Sequence, residues 1–439
     1  MASERRPPGP SGLPVVGNTH QYASDPFAFA ERLRREYGPV ARYEVLGDDF
    51  YQLNDPADIE LVLVQHNENY VKGDLFQSVL GPLTGDGLLN SEGETWRTQR
   101  HRMQPAFTPD RIAGYADTMA AFTDEALDGW RDGEVRDVHA EAMELTLRII
   151  AEAMFGIEMD RDVETVGESM EAVMAQSERV WQGFIPDAVP TPGRRRYREA
   201  VESLDEVVYR IIRERKRDPG DDLVTMLLEA TDGDGETMSD RQLRDEVITI
   251  LLAGHETTAL SLTFTFHLLA RHPGIERELV AELDGIEGRP TMGDVMGLEY
   301  LDRVVTESMR LFPPVPTIVR EPTEQDTLGG YEIPAGATVV MHQRSVHRDP
   351  RFYDDPLAFD PDRWTDAMRD DLPRLAYFPF AAGPRRCIGD RFALLEAKLV
   401  LAATYTRYHL ELVSDPDLDL RPALTARPRN PVRMRVHER

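Results

Sequence analysis

Cysteine is nearly absent from this chain of 439 residues, in which Cys387 is the only one. A single thiol cannot form an intramolecular disulfide, and it cannot build a cysteine-rich zinc or iron–sulfur site. This cysteine usage predicts a protein of a reducing compartment, and we expect the cytoplasm. The first ten residues contain no apolar stretch of the kind that a signal peptide needs, so we expect none.

Basic charge is also scarce, because 50 Lys and Arg stand against 78 Asp and Glu, for a net charge of -28. Such a protein repels phosphate backbones and anionic membranes, so neither a nucleic acid nor a charge-bound membrane is expected as a partner. Lysine is the rarer base, at Lys72, Lys216 and Lys398 only. This pattern predicts a halophilic organism, in whose cytoplasm salt screens self-repulsion. Codon bias acting on a merely acidic protein is the alternative.

Long apolar runs are missing as well. No uninterrupted run reaches the ~18 residues that span a bilayer, so we expect no membrane span. Hydrophobic residues make up 41% of the chain, and its 31 Gly and 31 Pro are ordinary numbers, which excludes global disorder and collagen-like structure. The chain is long enough to bury a large core together with an internal cofactor.

The hydrophobic pattern predicts a mainly α fold with small β-sheets (α+β). Helical periodicity dominates residues 92–272, and short strands are expected within 318–340. Residues 1–25 are rich in Pro and Gly and are expected to be extended, and Asp25-Pro26 is expected to start a helix that ends near Tyr37. We expect one domain over residues 1–439.

One long helix contains a conflict between burial and composition. Ser239 and Gln242 match a capping box, and Pro273 stops the helix that they open. The helix would be on the order of 50 Å long, with an apolar middle. Gly254 costs such a helix ~1 kcal/mol, and Glu256 in the same stretch needs a partner if it is buried. Local conflict of this kind marks a functional site.

A second motif precedes a helix predicted over residues 388–405. Phe380-Ala-Ala-Gly-Pro-Arg-Arg-Cys-Ile-Gly389 places the thiol of Cys387 near a helix N-terminus, where the dipole favours thiolate. Gly383 and Gly389 would let the backbone approach a bulky planar ligand, and Arg385 could pair with a carboxylate on it. Together these features describe a haem-thiolate site. An inert core cysteine is the alternative for a lone thiol.

With these motifs in place, the sequence resembles the cytochrome P450 family over nearly its whole length. Glu307-Ser-Met-Arg310 resembles the family's Glu-x-x-Arg motif, and Pro361-Asp-Arg363-Trp resembles its meander motif. The resemblance implies that Glu307, Arg310 and Arg363 form a structural charge network below the haem loop. It also implies the cytochrome P450 fold, with the long central helix over the haem.

The stretch from Ala253 to Thr258 is similar to the family's oxygen-binding signature. The resemblance implies that Gly254, beside Ala253, makes room for O2. It implies that Thr257 hydrogen-bonds dioxygen at the haem and that Glu256 passes protons inward from solvent. A Thr257 hydroxyl bonded back to its own helix is the alternative.

Further haem contacts follow from the same resemblance. Trp96-Arg-Thr-Gln-Arg100, followed by His101, resembles a family helix whose side chains meet haem propionates. Arg320 is a further expected propionate ligand, with an exposed strand arginine as the alternative. We expect structural or packing roles, and no iron ligation, for His255 and His347, His255 being either a solvent-side or a packing residue.

The resemblance implies a haem b monooxygenase that uses O2 and electrons from a separate ferredoxin-type partner, since no flavin or nicotinamide segment follows residue 439. A basic docking patch could be formed by Arg100, Arg102, Arg386 and Arg391, or these could be solvated arginines.

The substrate should be apolar and like a fatty acid, a terpenoid or a carotenoid. Candidate pocket walls, for which plain core packing is the alternative, are Phe76, Leu80, Phe184, Ala253, Val315 and Ile318. An H2O2-dependent peroxygenase and a non-catalytic haem sensor remain as alternative functions.

Overall fold

The computed structural model describes residues 6–156, 162–177, 191–231 and 235–439. Phe184, one of the candidate pocket residues, lies outside these ranges. The chain divides into two compact units, each built from separate stretches of sequence. Unit 1 comprises Met1–Ser78 and Met309–Cys387, and unit 2 comprises Val79–Ser308 and Ile388–Arg439. The expectation of a single domain over 1–439 stays a prediction.

Helices dominate the described part of the chain, and the strands are short, which confirms the predicted mainly α fold with small sheets. The helices are α1 (Thr19–Ser24), α2 (Pro26–Tyr37), α3 (Pro56–Glu60), α4 (Gly73–Thr84), α5 (Gly93–Met103), α6 (Pro109–Asp128), α7 (Val138–Phe155), α8 (Val163–Ser177), α9 (Pro192–Arg217), α10 (Leu223–Glu229), α11 (Asp240–Arg271), α12 (Pro273–Leu283), α13 (Met292–Met296), α14 (Glu299–Leu311), α15 (Gln343–Val346), α16 (Asp366–Asp371) and α17 (Asp390–Arg407). The strands are β1 (Val40–Val45), β2 (Asp48–Leu53), β3 (Tyr70–Val71), β4 (Val135–Asp137), β5 (Thr317–Pro322), β6 (Asp326–Leu328), β7 (Tyr331–Ile333), β8 (Thr338–His342), β9 (Tyr408–Leu412), β10 (Leu420–Pro422), β11 (Ala426–Pro428) and β12 (Arg433–Glu438).

Unit 1 is organised around a sheet with the strand order β1-β2-β8-β5-β3. Strands β2 and β8 pair in parallel, with Phe50 opposite Thr338, whereas β1 pairs with β2 and β5 pairs with β8 in antiparallel fashion. A turn of π-helix, Leu61–Gln65, follows α3 directly. The buried side chains of Leu53, Ile59 and Met341 belong to the core cluster of this unit.

The N-terminal segment differs from the extended structure expected for residues 1–25, because Thr19–Ser24 forms a helix. Asn18 explains the difference, since its backbone N–H donates to Glu44 O at 2.6 Å and its side-chain Oδ1 accepts from Glu44 N at 3.1 Å. These bonds tie the segment to β1. The predicted start of α2 is confirmed, because the Asp25 carboxylate accepts from Ala28 N at 2.9 Å.

Unit 2 contains the long helix α11, whose predicted capping box is present at Ser239 and Gln242. The helix packs against α7, α9 and α17. In the part of the chain that the structure describes, α11 alone has the length and apolar composition to cross a bilayer, and 83% of that stretch is buried inside the protein. Unit 2 also holds the sheet β4-β12-β9 and the two-stranded hairpin β10-β11.

Candidate active site

A tight loop at the end of unit 1 presents the thiol of Cys387, which is exposed. Gly383 has a φ of 67°, and a Cβ atom on it would lie 2.0 Å from Leu63 O in the π-helical turn. Glycine is therefore required here by a close approach of two backbone segments. The loop is closed by hydrogen bonds from Cys387 N to Phe380 O at 3.0 Å and from Arg386 N to Gly383 O at 3.1 Å.

His347 holds the start of this loop. Its side chain is fully buried, and its Nε2 accepts a hydrogen bond from Phe378 N at 3.0 Å. Burial, followed by the nearby charge of Arg310, lowers the pKa of His347 to about 3, so the imidazole stays neutral and can act as an acceptor. The role is structural, as the sequence predicts.

Arg310 and Arg363 meet at one backbone oxygen. Arg310 is fully buried on α14 and donates to Pro356 O at 2.7 Å and to Ala358 O at 3.0 Å. Arg363 also donates to Ala358 O, at 3.4 Å. Glu307 is fully buried one turn before Arg310 on the same helix. Backbone carbonyls thus join the two arginines, which supports the structural role expected for this motif.

Three residues in the middle of helix α11, which we call the accessible window, are not buried. Between Leu243 and Leu269, every residue is buried except Ala253, Gly254 and Thr257. Positions i, i+1 and i+4 lie on one side of a helix. The small side chains and the hydroxyl of the signature are therefore the part of the helix middle that remains accessible.

Gly254 lies close to helix α7. A Cβ atom at this position would lie 2.8 Å from Cδ1 of Ile150 on α7. A side chain here would require the Ile150 side chain to shift, so helix packing favours glycine at this position, and the expected clearance for O2 stays a prediction. Ala253 is the exposed residue of the window.

The Thr257 hydroxyl donates to Ala253 O at 2.8 Å, so the helix-bonded alternative is present in the structure. The side chain is nevertheless half-exposed, and its oxygen keeps its acceptor capacity. A Thr257 hydroxyl that donates to its own helix can therefore still accept a hydrogen bond from a ligand, so the two alternatives for this residue are compatible.

Glu256 is buried, with 1% of its surface exposed. Its Oε1 accepts from Thr425 Oγ1 at 2.5 Å and from Arg427 Nε at 2.5 Å. Its Oε2 is also buried and has no hydrogen-bond partner among the described residues. The expected partner for this buried acid exists, but the acid does not itself reach solvent. Sequence reasoning missed both partners, because they lie about 170 residues further along the chain.

His255, next to it, is buried with 1% exposure, so its role is packing and the solvent-side alternative is wrong. Desolvation lowers the pKa of His255 to about 4, which keeps it neutral. Its backbone oxygen accepts from Thr146 Oγ1 at 2.9 Å, and this bond joins α7 to α11.

The predicted propionate residues lie on separate elements. Trp96 and Arg100 are half-buried on α5, and His101 beside them is exposed. Arg320 on β5 is buried at 7% exposure and donates to Val319 O at 2.7 Å, so the alternative of an exposed strand arginine is wrong. Arg385 is half-buried in the one-turn helix before Cys387.

The remaining motif residues differ in their surroundings. Phe380 and Gly389 are half-buried, and a Cβ atom on Gly389 would meet the Phe107 ring at an ordinary 3.6 Å. The protein itself therefore imposes no close approach at Gly389.

One of the four arginines of the predicted docking patch is buried. Arg102 is buried at 7% exposure and donates to Glu236 O at 2.6 Å, so it braces unit 2 from inside. Arg386 and Arg391 are exposed, as such a patch would require.

The candidate substrate residues divide into two kinds. Leu80 and Ile318 are buried at 2% and 9% exposure, which is the behaviour of core residues. Phe76 and Val315 are half-buried, and the Lys72 ammonium lies 4.9 Å from the centre of the Phe76 ring.

The side chains that could bind a metal near Cys387 fit a haem. In the described ranges no group of three or more His, Cys, Asp or Glu side chains could hold a metal ion. A metal bound by Cys387 would therefore take its other ligands from a non-protein group, as a porphyrin provides. The exposed thiol and the glycine-dependent loop below it suit such a ligand.

Comparison with known proteins gives a consistent result. The sequence matches the family described as Cytochrome P450 over residues 7–435. It is 33% identical to Pentalenene oxygenase of Streptomyces avermitilis, over 97% of this chain and 96% of that protein. It is 35% identical to Cyclooctatin synthase of Streptomyces melanosporofaciens, over 95% and 93%. The crystal structure of the cytochrome P450DA heme domain is similar with a TM-score of 0.87 at 29% identity, covering 99% of this chain and 98% of that one. The chain therefore belongs to the cytochrome P450 family.

Proposed function

We propose that this cytochrome P450 monooxygenase binds haem b through Cys387 and hydroxylates an apolar terpenoid. Electrons would come from a separate ferredoxin-type protein. Fatty-acid and carotenoid-like substrates were the other possibilities of the sequence, and the names of the similar proteins favour a terpenoid. The proposed setting is the cytoplasm of a halophilic organism, which the net charge of -28 supports.

The bound haem would supply the activation of O2, and the residues of α11 would handle the protons. Written in full, the reaction is RH + O2 + 2e⁻ + 2H⁺ → ROH + H2O. The half-exposed Thr257 hydroxyl would hold a proton at the accessible window of the helix. Glu256, the preceding residue, would store and return protons from its buried carboxylate.

The observation that carries this proposal is the acid–alcohol pair on α11, with an accessible hydroxyl beside a buried, hydrogen-bonded carboxylate. A peroxygenase receives its protons with H2O2 and would not need such a pair. A haem sensor would need neither proton storage nor an exposed basic face. Neither alternative function therefore explains why a buried carboxylate, that of Glu256, lies next to the accessible hydroxyl.

The first test is the optical spectrum of the reduced protein with carbon monoxide. The wild type should show the band of thiolate-ligated haem, and Cys387→Ala should lose it because the chain has no second cysteine. A band typical of imidazole ligation in the wild type would contradict the proposal.

The substrate class is tested by titrating terpenoids, fatty acids and carotenoids and recording the spin-state shift. Turnover is then measured with a surrogate ferredoxin and its reductase, and separately with H2O2. Product formed with H2O2 alone, and none with reductant, would favour the peroxygenase.

A further inference from the structure

Glu256 is held by a part of the chain that the sequence motifs do not include. Thr425 and Arg427 belong to the C-terminal hairpin of β10 and β11, and both are buried, at 4% and 9% exposure. They approach Glu256 from outside its own helix, so two separate elements meet at the carboxylate.

Both hydrogen bonds end on the same oxygen. Thr425 Oγ1 and Arg427 Nε each donate to Oε1 of Glu256, whereas Oε2 is buried without a partner in the described part of the chain. A bond from a guanidinium to a carboxylate is charge-assisted and fixes geometry as well as charge. The acid is thus held in one orientation, with its second oxygen left to accept and release a proton.

Arg427 also supplies the positive charge at this site. His139 and His255 lie close enough to feel the charges of Glu256 and Arg427. Burial, with a smaller contribution from Arg427, lowers the pKa of both imidazoles, to about 4 in the case of His255. Both rings are therefore neutral near pH 7, and the balancing charge for the carboxylate comes from the guanidinium.

We propose that Arg427 and Thr425 are positioning residues that hold the Glu256 carboxylate in one orientation for proton transfer during dioxygen reduction. This inference rests on the monooxygenase function proposed above. The two bonds to Oε1 stop the carboxylate from rotating, so Oε2 is presented for proton transfer in a fixed direction. Without Arg427, the carboxylate loses its charge-assisted hydrogen bond and is free to turn, so Oε2 is no longer fixed.

The chain provides a matched control in the same hairpin region. Arg429 lies two residues after Arg427, but about half of its side chain is exposed, and it pairs with Asp419 at 3.0 Å. Replacing Arg429 removes an arginine of similar position that does not contact Glu256. Arg429→Met should therefore behave like the wild type.

The experiment compares wild type, Arg427→Met, Arg427→Lys, Thr425→Val and Arg429→Met as haem-loaded proteins. A surrogate ferredoxin and reductase supply electrons, pentalenene is the probe, and O2 consumption is followed in H2O and in D2O. Arg427→Met should lower the maximal rate at least ten-fold and raise the solvent isotope effect, at an unchanged half-saturating pentalenene concentration. Arg427→Lys should recover part of the rate, and Thr425→Val should give a smaller change in the same direction.

A double-mutant cycle separates positioning from general damage. If Arg427 acts through the acid, Glu256→Gln with Arg427→Met should be no slower than Glu256→Gln alone, and the two substitutions should also be non-additive in the urea midpoint of unfolding, which needs no turnover. This pair leaves no unpaired carboxylate buried, so it remains informative even if Arg427→Met folds poorly. A fully additive loss, or an unchanged isotope effect in a folded Arg427→Met protein, would overturn the inference. A wild type whose reduced complex with carbon monoxide lacks the band of thiolate-ligated haem would instead refute the proposed function.

Discussion

Gly383 meets two separate requirements for glycine, and they can be tested apart. Its φ of 67° disfavours any side chain, and a Cβ atom would also collide with Leu63 O at 2.0 Å. Gly330 shares the first requirement, with a φ of 79°, but has open space around its Cα atom. The two glycines thus form a natural pair for comparison within unit 1.

We predict that Gly383→Ala destabilises the protein by about 3 kcal/mol or more, since backbone strain and overpacking add. Gly330→Ala should cost about 1–2 kcal/mol, from strain alone. Thermal unfolding gives the two stabilities, and the haem content after purification shows whether the cysteine loop survives. Equal losses in the two variants would mean that the contact with Leu63 is relieved at little cost.

At the same scale, the sequence revealed residues whose chemistry is local and missed those whose role depends on distant partners. Cys387 and Thr257 stand in recognisable motifs. Arg427 stands in no motif, and only the fold brings it to Glu256. Arg102 shows the reverse error, because its sequence neighbours suggested a surface arginine, whereas a carbonyl far along the chain holds it inside.

Helix α11 also anchors the segment between α4 and α5. The Glu246 carboxylate is fully buried, and its Oε2 accepts from Leu88 N at 2.9 Å. Asp245, beside it, accepts from Asp86 N at 3.1 Å. Burial raises the pKa of Glu246 to about 8, so this acid is protonated in the folded protein at neutral pH.

A raised pKa in the folded state means that unfolding releases a proton between about pH 4.5 and 8. Stability from Glu246 is therefore lost as the pH rises through that range, by at most about 5 kcal/mol in total. Glu246→Gln keeps an acceptor for Leu88 N without the titration. We predict that the free energy of unfolding of this variant, measured with denaturant, falls less between pH 5 and 8 than that of the wild type. If the free energies of unfolding of the wild type and of Glu246→Gln change with pH in parallel, folding does not shift the pKa of Glu246.

At the scale of elements, prediction succeeded where one short stretch decides the outcome. The Asp25 cap and the Ser239 capping box are both present. Helix α1 was missed because a distant strand determines it, through the bonds between Asn18 and Glu44.

At the scale of the whole molecule, the two units differ in which buried groups have shifted pKa values. In unit 1, burial lowers the pKa of His342 to about 4 and that of His347 to about 3. Their stabilising effect is present above the unfolded-state pKa of about 6.5 and is lost as the pH falls below it, since unfolding then takes up protons. Two such groups make the free energy of unfolding change by up to about 3 kcal/mol per pH unit.

Unit 2 contains compensating groups. His255 and His267, each with a pKa lowered to about 4 by burial, also take up protons on unfolding. Burial raises the pKa of Glu246 and Glu396, so these two acids release protons on unfolding once the pH exceeds about 4.5. Burial also lowers the pKa of His139, so in unit 2 the proton uptake of the histidines on unfolding is opposed by the proton release of the two acids.

We therefore predict that acid destabilises unit 1 before unit 2. Hydrogen exchange read by mass spectrometry should show protection falling between pH 6.5 and 5 in peptides from Met309–Cys387, after correction for the intrinsic rate. Peptides from the α11 region should change much less. His342→Gln would serve as a partial control, because it removes one titrating group and should reduce the pH slope in unit 1 alone. If both units lose protection with the same slope, the units unfold together and the balance of buried groups in each has no separate effect.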